Sequence, residues 1–108
     1  MITLTIRKNH KNQIIEIEAD GHANYNNDGE DAVCGAVSSL IQTAALGLMN
    51  IVGIQLKSIR EDGFTKYTLP ESMSHEQERD SQIILNTMAL GIYDLHEQFS
   101  DFIEIVVE

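Results

Sequence analysis

Three features of the chain predict an α+β fold: a mixed or largely antiparallel sheet with two helices packed on one face. Five short stretches carry apolar residues in the manner of strands, and two long stretches repeat them at helical spacing. Their order along the chain is ββαββαβ. Asp62-Gly63 falls between the third and fourth strand-like stretches and marks a two-residue hairpin. A length of 108 residues suffices for one compact domain and not for two, so residues 1–108 read as a single domain.

Each element has its own justification. Ile2, Leu4 and Ile6 alternate with Thr3, Thr5 and Arg7, as in a half-buried strand. Ile15, Ile17 and Ala19 alternate with Glu16 and Glu18 as its hairpin partner across a short polar turn. Val33, Val37, Leu40, Ile41, Ala44, Leu48 and Ile51 recur at helical spacing and predict a helix over 31–51, stopping near Gly53. Asp31 is placed to cap its start. Its small residues, among them Gly35, Ala36, Ser38 and Gly47, allow another element to approach closely. Residues 56–60 and 64–69 predict the next hairpin, with Asp62-Gly63 as a type I′ turn and Pro70 as its stop. Ser74 with Gln77 resembles a capping box for a second helix reaching about His96. That helix is apolar on more than one face, surplus that a symmetric second copy would bury. Residues 102–107 predict the last strand.

Composition narrows the class. The formal net charge of −10 argues against direct nucleic-acid binding and suits a basic partner, or simple solubility. No apolar run approaches the ~20 residues of a membrane span, and the chain opens at once on a strand pattern rather than a leader. One cysteine excludes an intrachain disulfide and fits a reducing cytoplasm.

The chemistry-bearing residues gather between the second strand and the first helix. Cys34 falls in the first helical turn if Asp31 is the cap, where the helix dipole favours a thiolate. It can equally be a small buried hydrophobe among Val33, Ala36 and Val37. His22 follows Gly21, a residue free to adopt conformations that others resist. His22 can take the thiol proton or hold the thiolate as an imidazolium. Asp31 can cap the helix or orient His22. Ser38, one turn after Cys34, can line the site, bond back to the Cys34 carbonyl or pack. A metal held by His22, Asp28, Asp31 and Cys34 lacks a tight ligand spacing, and no metal or cofactor is expected. Val33, Val37, Tyr25 and Met49 are candidates for apolar pocket walls.

Gly21-His22-Ala23, then Gly29 with Asp31 and Val33-Cys34, then Ala36-Val37-Ser38, resembles the signature of the bacterial ribosomal-processing cysteine proteases, the Prp family. The chain differs from that signature modestly at Ala32 and Gly35. The resemblance implies a cytoplasmic, homodimeric cysteine endopeptidase that needs no cofactor. It removes the N-terminal extension of the twenty-seventh large-subunit ribosomal protein, cutting after paired phenylalanines. By position it implies His22 and Cys34 as the catalytic pair, with Gly21, Asp31 and Ser38 in support. The competing reading is a non-catalytic ribosome-associated binding module with a structural cysteine.

Overall fold

The computed structural model describes residues 1–21 and 28–108, the side chains of 28–31 excepted. The predicted order holds: strands β1 (Ile2–Lys8) and β2 (Ile14–Asp20), helix α1 (Asp28–Gly47), strands β3 (Lys57–Glu61) and β4 (Phe64–Thr68), helix α2 (His75–Gln98) and strand β5 (Ile103–Val107). The five strands form one mixed sheet in the order β3-β4-β2-β1-β5. All neighbours are antiparallel except β1 and β5, which run parallel.

Alternation along the strands decides which side of the sheet is buried. Leu4 opposes Ala19, Ile6 opposes Ile17, and Ile17 in turn opposes Tyr67, so these side chains share one face. They merge with Val37 and Ile41 of α1, Leu48 just beyond it, and Leu85 and Ile92 of α2 into one core. Tyr67 fixes α1 over β4 by donating its hydroxyl to the Ile41 carbonyl at 3.0 Å. Gln82 fixes α2 to the start of β2: its side chain both donates to and accepts from the Ile14 backbone, each at 2.8 Å. Small residues set the spacing of the helices. A Cβ at Gly91 would stand 3.1 Å from Leu40, and one at Gly47 would stand 3.3 Å from Ile84.

The second strand departs from the expected alternation. Arg7 pairs with Glu16 and Lys8 with Ile14, leaving Ile15 as an extra residue in a bulge. The bulge turns Ile14 into the core and leaves Ile15 half-buried.

The hairpin turn also differs from expectation. Of Asp62 and Gly63 only Gly63 has a positive φ, +75°, so the turn is not type I′. The Gly63 carbonyl accepts the Gly21 N–H at 2.9 Å, a tie to the end of β2 that holds the turn in its orientation.

Helix α1 begins at Asp28, three residues before the expected start, and passes into a π-helical turn, Leu48–Val52. Gly53 closes it at φ +83°, donating its N–H to the Leu48 carbonyl. The stretch Ala32–Val52 carries no charge and has a mean hydropathy of 1.6 over 21 residues. It is long and apolar enough to cross a membrane, contrary to the expectation from the sequence. Here it is the core helix, with Val33, Val37, Ile41, Ala44 and Leu48 buried. The Ser74–Gln77 capping box of α2 forms as expected.

The opposite face of the sheet is a charged ladder. Arg7 meets Glu16, Glu18 and Glu108, and Lys66 meets Glu16 at 3.1 Å. Partial burial opposes ionisation of Glu16. Hydrogen bonds from Lys66 and Thr68, with the charges of Lys66 and Arg7, outweigh it and hold the carboxyl below its ordinary value.

Candidate active site

The site is built where β2 ends, α1 begins and the β3–β4 turn folds over. Gly21 closes β2 at φ +138°. A Cβ there would stand 2.2 Å from the Met1 carbonyl oxygen and 2.9 Å from the Ile2 Cα, both rigid backbone. Only glycine fits, for both space and conformation. From Gly21 the chain continues to His22, which lies outside the described residues, as does Tyr25.

Cys34 sits on α1 with 7 % of its surface exposed. It is the seventh residue of the helix, not part of the first turn. Asp31 is the fourth and therefore stands inside the helix rather than capping it. The physical reason is the run Asp28, Gly29, Glu30, Asp31. Turn-forming as Asp-Gly looks, three acidic residues in four suit the positive end of a helix, and the helix takes them in. The dipole acts mainly within the first turn, so its hold on a Cys34 thiolate is weaker than expected.

Ser38, one turn beyond Cys34, is exposed. It lines a cavity of about 230 Å³ together with Gly21, Ala19, Gly63 and Phe64. The structure thus brings Gly21 and Ser38 to one cavity and places Cys34 four residues before Ser38 on the same helix face. Two contributors escaped the sequence reading. Gln42 lines the same cavity one turn beyond Ser38, and the β3–β4 turn closes its far side. Gln42 had a legible signal, a polar residue one turn after Ser38 and lying between Ile41 and Ala45 in the sequence. The turn had none, because its approach is a tertiary fact. Of the expected pocket walls, Val33 and Val37 belong to the core, whereas Met49 is exposed.

Comparison with known proteins gives the family and the fold. The family model described as Cysteine protease Prp matches residues 1–104. The ribosomal processing cysteine protease Prp of Bacillus subtilis (strain 168) is 29 % identical over 107 residues, covering 97 % of this chain and 96 % of that protein. Its counterpart in Staphylococcus aureus (strain Mu50 / ATCC 700699) is 22 % identical over 105 residues, covering 97 % of each. The S. aureus protease crystallised with a substrate peptide has the same fold, with a TM-score of 0.88 at 20 % identity over the whole of both chains. A glycine-fixed strand end, a lone cysteine one turn from an open cavity, and a match across nearly the full length converge: this chain belongs to the Prp family of cysteine proteases.

Proposed function

We propose that the chain is the endopeptidase that trims the N-terminal extension of the twenty-seventh large-subunit ribosomal protein during ribosome assembly, with Cys34 as nucleophile and His22 as its base. One observation carries the assignment of the nucleophile. A cysteine protease needs a cysteine, and this sequence has one, Cys34, a turn from a cavity. The thiolate is the nucleophile, so a base must take the thiol proton, and His22 is adjacent in sequence to the anchored Gly21.

The chemistry is acyl transfer. Cys34 gives its proton to His22 and attacks the scissile carbonyl. His22 then protonates the departing amine, and afterwards activates the water that releases the acyl group. Gly21 sets the path into His22, Asp31 supports from the first turn of α1, and Ser38 lines the cavity. The net charge of −10 favours encounter with a basic ribosomal tail. Residues 1–108 act as one domain, in the cytoplasm, as a homodimer. The helix layer supports the dimer, since Ile51, Leu90 and Ile83 are 83, 70 and 60 % exposed there.

The test is incubation of the purified ribosomal precursor with the protein, followed by intact-mass measurement. Wild type should release the extension. Cys34→Ala and His22→Ala should leave the precursor whole while keeping a native circular dichroism spectrum. Full cleavage by Cys34→Ala would remove the assignment.

A further inference from the structure

A second cavity, of about 210 Å³, lies along α1 beyond the first. The two share Gln42, Arg60 and Thr65 and so form one continuous trough. Its wall is one stripe of α1: Ser38, Gln42, Ala45, Leu46 and Met49, successive turns of the same face. Its floor is the helix-side face of the outer hairpin, where Tyr67 pairs with Ser58 and Thr65 with Arg60. The helix and β3 run in opposite directions along it, since Ser38 shares the first cavity with Glu61 while Met49 shares the second with Ser58. The two sides are of similar length. From Ser38 to Met49 is about 16 Å at 1.5 Å per helical residue, and the five residues of β3 span about 13 Å at 3.3 Å per step.

The trough changes character along its length. Near Gly21 it presents Ser38, Gln42 and the charged Arg60 and Glu61. At the far end it presents Ile41, Ala45, Leu46, Met49 and the Tyr67 ring. Leu46 is 57 % and Met49 42 % exposed, so apolar surface is uncovered there. β3 is the edge of the sheet, which leaves one side of its backbone for an extended peptide to pair with.

We propose that this trough is the subsite track of the protease: the substrate lies extended along α1 and seats an apolar side chain on Leu46 and Met49, about five to seven residues from the scissile bond. The count follows from the helix. Cys34 to Leu46 is about 18 Å of helical rise and Cys34 to Met49 about 22 Å, or roughly five to seven residues of extended peptide. The occupant is argued from continuity, because the trough opens at the cavity beside Gly21 and Ser38. The proposal rests on the protease reading and gives it a specificity determinant outside the motif.

The test uses Cys34→Ala protein and a fluorescein-labelled peptide spanning the precursor's processing site. Adding Leu46→Glu with Met49→Glu should weaken binding about tenfold or more, the effect of uncovering one buried apolar side chain. The melting curve should stay native, since both residues are exposed. Among peptides with lysine at the fifth to seventh positions on either side of the cut, one should regain binding to the double variant and lose it on the parent. In the protein with Cys34 intact, the double variant should raise KM and spare kcat. Equal binding by parent and double variant, or no binding by either, overturns the proposal. Peptide bound through Leu46 and Met49 but never cleaved by wild type would instead overturn the processing function and leave the trough standing.

Discussion

Gly21 shows how much one residue can decide. It has a positive φ and no room for a methyl group, because the Met1 carbonyl and Ile2 Cα stand where a Cβ would go. Its N–H is also the bond that ties β2 to the β3–β4 turn. Gly21→Ala must therefore shift the N-terminal backbone or the end of β2, and either moves the chain leading into His22. We expect this variant to lose about 1–3 kcal/mol of stability and most precursor cleavage, measured by denaturant unfolding and by intact mass. A fully active Gly21→Ala would show that the strand end has no positioning role. Tyr67 makes the complementary point in the core. Its hydroxyl donates to the Ile41 carbonyl, and burial pushes the phenol up, so it stays neutral through the physiological range. Tyr67→Phe should cost about 1 kcal/mol, a fall of roughly 4–8 °C in Tm. The loss should be insensitive to pH between 6 and 9, because no titrating group is removed.

At the scale of elements, the helix and the sheet each carry a device that alternation alone does not announce. The bulge at Ile15 lets β2 present Ile14 and Ile17 inward while Glu16 and Glu18 stay on the charged face. That placement sets up the ion pairs of Glu16 with Lys66 and Arg7. A carboxyl held below its ordinary value stabilises the fold above its unfolded pKa of about 4.5. The contribution disappears as pH falls through the lower folded value. Glu16→Gln should therefore lower Tm at pH 7 and shrink the loss of stability on acidification below about pH 4.5. Thermal melts from pH 7 to pH 3 read both effects. Parallel curves for the two proteins would show that Glu16 contributes no linked stability. Helix α1 meanwhile serves three surroundings: Val37 and Ile41 face the core, Leu40 and Gly47 meet α2, and Leu46 and Met49 edge the trough.

For the whole molecule the decisive feature is the layering. One face of the sheet is covered by helices, and the helices in turn leave apolar surface outward. Between them runs a groove of about 350 Å³ lined by Leu40, Gly47, Ile51, Ile83 and Thr87. A two-fold partner would bury it isologously. Sedimentation equilibrium at micromolar concentration should give a dimer for the wild type and a monomer for Ile51→Glu with Ile83→Glu. A monomeric wild type would refute the homodimer.

The sequence by itself determined the order of elements, the α+β class, the caps at Ser74 and Gly53, and the family, because these rest on local periodicity and on a contiguous motif. It also singled out Gly21, Cys34 and Ser38 as candidate site residues. His22 lies outside the described residues, so its role still rests on the motif and on chemistry. Only the tertiary structure decided the start of α1, the bulge at Ile15, the turn type at Gly63 and the trough. Asp28-Gly29 is turn-forming by propensity and Asp31 suits a cap, yet acidic charge at a helix start prevails and the helix begins at Asp28. Gly63 takes its shape from a hydrogen bond to Gly21, 42 positions away in the chain. Gln42, Arg60 and Thr65 meet because α1 is laid across β4 by the Tyr67–Ile41 bond. Local sequence sets what each segment favours. Which segments share a surface is set by packing between residues far apart in the chain.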